Sequence, residues 1–152
     1  MIKIYNKILF ATDGSIHANN AAKRVIEFQK IWSSTVVIIH SIKDNRVPSE
    51  IYPNVETLYS KFSSIEEVYK EAGSRLLNSA KSLYGSNQSF VETRLIENEG
   101  PADYIKRIVS EENFDLVVLG SRGQHSKIKK ALLGTVSTKV VKNAPCDVLI
   151  VK

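Results

Sequence analysis

The stretch Phe114-Asp-Leu-Val-Val-Leu-Gly-Ser-Arg-Gly123 joins an apolar run to a turn that contains two glycines. Such continuous apolar runs are typical of strands that are buried on both faces of a parallel sheet. Glycine has no Cβ, so the backbone of the turn can approach a ligand closely. A third glycine, Gly134, precedes Thr135-Val-Ser137, where a helix is expected to begin. Because backbone N–H groups at a helix start favour an anion, the stretch predicts a cradle for phosphate groups.

Strand patterns and helical patterns alternate along the rest of the chain. Strands are predicted at Lys7–Thr12, Thr35–Ile42, Phe90–Glu97, Asp115–Leu119 and Cys146–Lys152. Apolar residues at helical spacing predict helices from Ala18 to Trp32 with Ser15 as N-cap, from Leu58 to Leu83, from Gly100-Pro101 through Ile108, and over Val136–Val141. Residues 43–55 are predicted to form a loop. No repeat or linker interrupts the pattern, so residues 1–152 are expected to form a single domain.

Five strands separated by helices predict an α/β fold with a doubly wound, Rossmann-like parallel sheet and helices on both faces. Ligands of such sheets bind beyond the carboxyl ends of the strands, where the strand order reverses. Two predicted strand ends carry suitable residues, namely Thr12-Asp-Gly14 and Gly120–Gly123. If the first and fourth strands are neighbours, both turns open into one crevice, which corresponds to the strand order 3-2-1-4-5.

Composition and charge indicate an ordinary globular protein. The 152 residues are 43% hydrophobic and carry 21 basic and 16 acidic side chains, a net charge of +5. The lysines are spread along the chain, which favours a solvated surface over a nucleic-acid partner. The single cysteine, Cys146, excludes an internal disulfide, fits a reducing compartment and is interpreted as a small buried hydrophobe. The first residues lack a signal-peptide or membrane-span pattern, so a cytoplasmic, soluble protein without a membrane partner is expected.

Five segments, taken in order along the chain, resemble the universal stress protein family. They are Lys7-Ile-Leu-Phe-Ala-Thr-Asp13 with Ser15, Val36-Val-Ile-Ile-His40, Asp115–Gly123, Leu132-Leu-Gly-Thr-Val-Ser137 and Asn143–Val151. In this family, ATP-binding members carry Gly, two residues, Gly, nine residues, Gly and then Ser or Thr. Here ten residues separate Gly123 from Gly134. One extra loop residue costs only on the order of 0.1 kcal/mol in closure entropy, so its effect is a question of geometry.

The resemblance implies a binding site for ATP, or for AMP or ADP. Its implied residues are Ala11, Thr12, Asp13, Ser41, Leu119, Gly120, Ser121, Arg122, Gly123, Gly134, Thr135, Val136 and Ser137. Ser41 would touch the adenine, and the glycine turns and the hydroxyls after Gly134 would hold the ribose and phosphates. Asp13 alone would repel the phosphates, so the resemblance implies Mg²⁺ or Mn²⁺ between them.

Each of these assignments has a purely structural alternative. The residues from Thr12 to Ser15 could form only a turn and a helix cap, and the residues after Gly134 could likewise only cap a helix. His40 lies in an apolar strand and is interpreted as a hydrogen-bonded core histidine, whereas His17 and His125 are predicted to be surface residues. The convergence of both turns on one crevice favours ligand binding.

The predicted function is a stress-response or regulatory protein that retains ATP with little or no hydrolysis. The sequence offers no paired carboxylates and no Ser-His-Asp order, and Gly134-Thr135 lacks the lysine of a P-loop, so no catalytic residue is predicted. The alternative is a dimer of the same family that binds no nucleotide and acts through contacts with an unknown protein partner.

A homodimer is predicted to form through the last strand. Asp147–Lys152 is apolar apart from its ends and lies at the edge of the predicted strand order. Exposed edges of this kind pair readily with another chain, and a two-fold axis would place the two copies antiparallel. The alternative is an edge that is covered by residues 1–6.

Overall fold

The computed structural model describes residues 2, 4–43, 60–62, 64–121 and 133–152. The described strands are β1 (Lys7–Ala11), β2 (Thr35–Ser41), β3 (Val91–Ile96), β4 (Leu116–Gly120) and β5 (Asp147–Val151). They pair in parallel in the order β3-β2-β1-β4-β5. The predicted α/β class and the predicted strand order 3-2-1-4-5 are therefore confirmed, and no strand boundary shifts by more than one residue.

Four α-helices connect the strands within the described residues. They are α1 (Ile16–Trp32), α2 (Ile65–Ser82), α3 (Pro101–Glu111) and α4 (Thr135–Asn143), and a 3₁₀ helix at Gly85–Phe90 precedes β3. The hydroxyl of Ser15 accepts a hydrogen bond from Ala18 N at 3.2 Å, so the predicted cap of α1 is confirmed. Pro101 occupies the first turn of α3, as predicted.

The predicted start of α2 is wrong within the described residues. The helical spacing of apolar residues continues through Phe62, but Phe62 lies before the helix, which begins at Ile65. The cause is local, because the hydroxyl of Ser64 accepts a hydrogen bond from Glu67 N and caps the helix at that point. Leu58, where the sequence places the helix start, lies outside the described residues.

Helices cover both faces of the sheet. On one face, strand residues such as Ile8 and Ile38 pack against α1 and α2. On the other face, Leu9 and Ile39 pack against α3 and α4. The four side chains named are fully buried, and burial of one such side chain contributes roughly 1.5–3 kcal/mol. This double burial explains why the central strands are continuously apolar in sequence.

The two edge strands differ in character. At β3, Arg94 pairs with Glu112 through two hydrogen bonds of 2.7 and 2.8 Å and also contacts Glu92, and this arrangement lowers the pKa of both carboxyls. At β5, the apolar residues Val148–Val151 are only partly buried. A charged edge discourages pairing with another strand, whereas an apolar edge invites it.

Two further sequence expectations concern burial. Cys146, expected to be buried, is half-buried beside β5, and burial raises the pKa of its thiol. Among the helices that the structure describes, none is both long enough and apolar enough to span a bilayer.

Candidate functional site

The candidate site lies at the carboxyl ends of β1 and β4, which are neighbours in the sheet. From β1 the chain proceeds to β2 and β3 on one side and then crosses to β4 on the other side. The strand order therefore reverses between β1 and β4. The helices that follow these two strands pack on opposite faces of the sheet, an arrangement that in such folds leaves a crevice above the strand ends.

A turn stabilised by its own side chains follows β1. The hydroxyl of Thr12 accepts a hydrogen bond from Gly14 N at 3.2 Å, and Asp13 Oδ1 accepts one from Ser15 N at 2.9 Å. Gly14 has a φ of 78°, a left-handed conformation that glycine adopts without strain. These hydrogen bonds agree with the structural alternative, in which the residues from Thr12 to Ser15 form a turn and a helix cap. They do not exclude a metal role for Asp13, because a carboxylate offers about four acceptor positions.

A buried histidine holds this turn against the sheet. His40, at the end of β2, is 2% exposed, and its Nδ1 donates to the carbonyl of Thr12 at 2.8 Å. Burial lowers the pKa of His40, which favours the neutral ring. The backbone N–H of Thr12 donates to Ile39 O at 3.0 Å. The interpretation of His40 as a hydrogen-bonded core histidine is therefore confirmed, and the structure adds that it fixes the turn that precedes α1.

Gly120, the last residue of β4, is packed against the start of α1. A Cβ at this position would lie 2.7 Å from both Ala18 N and the carbonyl carbon of His17. The missing side chain thus allows the first turn of α1 to rest directly on β4. The sequence predicts Gly120 as a residue that lets a ligand approach, and the structure assigns to it a close helix–strand contact.

Ser121 joins three elements at the end of β4. Its N–H donates to Val151 O and its carbonyl accepts from Gly134 N, both at 2.7 Å. Its hydroxyl lies 3.1 Å from His17 Nδ1 in a shared hydrogen bond, and the residue is 3% exposed. Ser121 therefore connects β5, the start of α4 and the start of α1. His17, predicted to be a surface residue, is half-buried and belongs to this connection.

The start of α4 carries the remaining predicted hydroxyl groups. Gly134 is the N-cap, and its bond to Ser121 brings the first turn of α4 beside β4. Ser137 is buried and donates to Gly120 O at 2.7 Å, while Thr135 is exposed. The first backbone N–H groups of a helix have no acceptor within the helix, so those of Thr135–Ser137 can bind an anion.

The structure brings most of the predicted site residues to this carboxyl edge. They are Ala11, Thr12, Asp13, Ser41, Leu119, Gly120, Ser121, Gly134, Thr135, Val136 and Ser137. The side chain of Leu119 packs in the core, and the hydroxyl of Ser41 donates to Glu99 O at 2.7 Å. Arg122, Gly123 and His125 lie outside the described residues.

The metal prediction rests on Asp13 alone. Across the described ranges, no group of three or more His, Cys, Asp or Glu side chains is placed to hold a metal ion. Mg²⁺ is commonly bound by one or two carboxylates together with phosphate oxygens and water. A single carboxylate such as that of Asp13 is compatible with that pattern.

The family model of the universal stress protein family matches residues 4–152. This chain belongs to the universal stress protein family. The resemblance that the sequence motifs indicate is therefore confirmed for nearly the whole chain.

Curated relatives and solved structures agree with this family assignment. Universal stress protein MJ0531 of Methanocaldococcus jannaschii is 30% identical over 98% of this chain and 83% of its own length. A putative universal stress protein of Staphylococcus aureus, SAUSA300_1656, is 33% identical over 97% of this chain and 84% of its own length. The structure of the universal stress protein UspA from Lactobacillus plantarum superposes with a TM-score of 0.73, at 19% identity, over 97% of this chain and 98% of its own.

Two other solved structures of universal stress proteins are nucleotide complexes. One, in complex with cAMP, has a TM-score of 0.61 at 24% identity and covers 97% of both chains. The other, from Archaeoglobus fulgidus in complex with dAMP, has a TM-score of 0.66 at 19% identity and covers 98% of this chain and 99% of its own. At these identities, the likeness shows a shared fold.

Proposed function

We propose that this chain is a cytoplasmic stress-response or regulatory protein that binds ATP with Mg²⁺ or Mn²⁺ and hydrolyses it slowly or not at all. The observation that carries the proposal is the hydrogen bond from Gly134 N to Ser121 O. It holds the first turn of α4 beside the end of β4, at the edge where the Asp13 turn ends β1. The proposal puts donors for phosphate and a ligand for a cation in one crevice.

Membership of the family supports a nucleotide as the ligand. Two universal stress proteins of the same fold are solved with adenine nucleotides, cAMP and dAMP. Each ligand combines one adenine with one phosphate group. A site for either ligand therefore needs a surface that contacts the base and hydrogen-bond donors for the phosphate. In this chain the end of β2 at Ser41 would face the base, and the turn of α4 would receive the phosphates.

A divalent cation, when bound, would neutralise phosphate charge beside Asp13. The residues of the chain would orient the nucleotide around it. The N–H groups of Thr135 and Val136 would donate to phosphate oxygens, and the exposed hydroxyl of Thr135 would add a further donor. Arg122, which lies outside the described residues, would add positive charge as the motif implies.

The hydrogen bonds of the histidines at the carboxyl edge support slow turnover. Hydrolysis requires a residue that positions or deprotonates the attacking water. His40 is buried and donates to Thr12 O, and His17 shares its Nδ1 hydrogen bond with Ser121. Within the described part of the chain, these are the two histidines at the carboxyl edge, and each already makes a hydrogen bond within the protein.

Calorimetric titration of the purified protein with ATP and Mg²⁺ tests the proposal. Gly134→Val places a branched side chain where the phosphates approach the helix start, and we expect it to weaken ATP binding on the order of tenfold or more. Lys139→Ala, on an exposed position one turn further along α4, is the matched control and should bind like the parent protein. A folded Gly134→Val protein that binds ATP normally would reject this site.

The second candidate function is a dimer that acts through protein contacts without a nucleotide. The observation that favours it is the partly exposed apolar strand β5, beside which lies a cleft of about 340 Å³ lined by residues that include Tyr5, Phe28 and Leu149. A protein that dimerises but shows no heat of ATP binding at any pH between about 6 and 8 would support this candidate instead.

A further inference from the structure

Gly73 is a buried glycine in the interior of α2, where the helix packs on β2 and β3. A Cβ at this position would lie 2.7 Å from Leu95 Cδ1, 3.2 Å from Ile42 Cγ2 and 3.3 Å from His40 Cδ2. Glycine is one of the least favourable residues in a helix interior. The close packing explains its presence, because any side chain here would push against the sheet and against the ring of His40.

The ring of His40 lies between α2 and the turn that follows β1. Its Cδ2 edge faces Gly73. Its Nδ1, on the other side of Cγ, donates to Thr12 O at 2.8 Å. Half a rotation of the ring about the Cβ–Cγ bond would exchange these two edges and break the bond to Thr12. His40 is 2% exposed, so the contact with α2 and the bond to the turn together define the orientation of the ring.

The carbonyl that His40 binds belongs to the peptide group that joins Thr12 to Asp13. The N–H of Thr12 donates to Ile39 O at 3.0 Å, so Thr12 is held through both of its backbone polar groups. Asp13 Oδ1 accepts from Ser15 N at 2.9 Å. A displaced His40 ring would release one side of the peptide group that precedes Asp13, and the carboxylate would be held less firmly at the carboxyl edge.

The electrostatics of His40 agree with this closeness to Asp13. Burial lowers the pKa of His40, whereas the bond to Thr12 and the negative charge of Asp13 act in the opposite direction. The carboxylate of Asp13 therefore lies within electrostatic reach of the ring. A continuous series of contacts thus leads from Gly73 through His40 and Thr12 to Asp13.

We propose that Gly73 and His40 are positioning residues of the nucleotide site, which hold the turn that carries Asp13 in place for a cation bound with the phosphates. The inference rests on the proposed function, because it concerns the same crevice. Neither residue needs to touch the nucleotide. The close contact of α2 with His40 therefore affects the affinity for nucleotide with its cation more than the affinity for nucleotide alone.

Calorimetric titration with ATP, first with Mg²⁺ and then with EDTA, measures how much the cation adds to the affinity. His40→Leu removes the donor to Thr12, and Gly73→Ala places a methyl group against the ring. We expect the gain from Mg²⁺ to fall on the order of tenfold in His40→Leu, as is typical when a group that supports a metal ligand is lost. Gly73→Ala should lose a smaller part of the gain. General destabilisation would lower both affinities, whereas lost positioning lowers mainly the affinity with Mg²⁺.

Ala72→Gly is the matched control. It removes the neighbouring buried side chain of α2, which packs beside Val68, and it weakens the same helix without pressing on His40. This variant should keep the Mg²⁺ gain of the parent protein. His40→Asn, which retains an N–H donor, should recover part of the gain that His40→Leu loses.

NMR of the histidine rings gives a readout that needs no nucleotide. The Nδ1–H signal of His40 should shift in Gly73→Ala and stay in place in Ala72→Gly. An equal Mg²⁺ gain in the parent protein, His40→Leu and Gly73→Ala, with ATP bound by all three, overturns the inference and leaves the proposed function intact. A parent protein that binds ATP equally with Mg²⁺ and with EDTA overturns the inference together with the metal part of the proposed function. Absence of ATP binding by the parent protein overturns both entirely.

Discussion

His40 Nδ1 donates to the carbonyl of Thr12 at 2.8 Å. The bond links the end of β2 to the turn that follows the neighbouring strand β1. Both residues are buried. The bond gives the buried carbonyl of Thr12 a hydrogen-bond donor. It also holds the turn that carries Asp13 against the sheet. The core and the candidate site are therefore coupled at this bond.

Replacing His40 with leucine should destabilise the fold by about 1–3 kcal/mol, because Thr12 O loses the donor that the ring supplies. Urea denaturation followed by circular dichroism measures the change in the free energy of unfolding. His40→Asn, which keeps an N–H donor on a shorter side chain, should recover part of the loss. An unchanged unfolding midpoint for His40→Leu would show that the bond contributes nothing.

Acid should weaken the fold through the same residue. The pKa of His40 is lowered in the folded protein, so the unfolded chain binds more protons between its ordinary value, about 6.5, and the lower folded value. Stability is then fully present above about pH 6.5 and decreases as the pH falls through that window, by at most about 1.4 kcal/mol per pH unit. Urea midpoints from pH 8 to pH 5 should show this decrease in the parent protein and a smaller one in His40→Asn.

Gly120→Ala should destabilise the protein by about 1–3 kcal/mol, the usual range for a side chain forced into a packed interior. The new Cβ would lie 2.7 Å from backbone atoms of Ala18 and His17, which cannot rotate away. Gly85→Asn is the control, since a side chain at Gly85 meets no atom within 4 Å and asparagine tolerates its φ of 56°. In thermal unfolding, the midpoint temperature of Gly120→Ala should lie well below that of Gly85→Asn.

ATP turnover by the purified protein should stay below about one per second, under the range of ordinary enzymes. Each described histidine at the carboxyl edge already makes a hydrogen bond within the protein, which supports the expectation that no general base is at hand. Release of inorganic phosphate with saturating ATP and Mg²⁺ measures the rate. Faster hydrolysis would show that a catalytic group lies at the site.

Light scattering at micromolar concentration should give a mass near twice the 17.0 kDa of one chain. The expected interface is β5, whose apolar residues are partly exposed at the sheet edge. Leu149→Asp or Ile150→Asp should shift the protein toward monomer, whereas Ile65→Asp, at an exposed position on α2, should not. A mass near 17 kDa for the parent protein would contradict the dimer.

The strands and the caps of α1 and α3 could be predicted because their signals are local, whereas the strand order followed from requiring two distant turns to open into one crevice. A buried parallel strand appears as a continuous apolar run, and a cap such as Ser15 bonds only three residues away. The start of α2 could not be placed, because Phe62 continues the helical spacing past the Ser64 cap.

The partners of the site residues could not be predicted from the sequence. Gly120 approaches α1, and Ser121 meets His17 across 104 positions of the chain. Such contacts depend on how a helix is seated on a strand, which no spacing along the chain records. The motif indicates which residues gather at the carboxyl edge, and packing determines which of them are already engaged with one another.

The difference between the two sheet edges has a consequence for assembly. A sheet in which both edge strands can pair with another chain can grow without limit. Here Arg94 and Glu112 place charge beside the β3 edge, whereas the residues of the β5 edge are mostly apolar, so β5 is the edge at which a second chain is expected. If two chains pair through β5, each covers the apolar edge strand of the other. The two β3 strands, with their charged side chains, are then the outer edges of the joined sheet. A dimer formed through β5 would therefore offer a third chain only charged edges, and it would be a closed assembly.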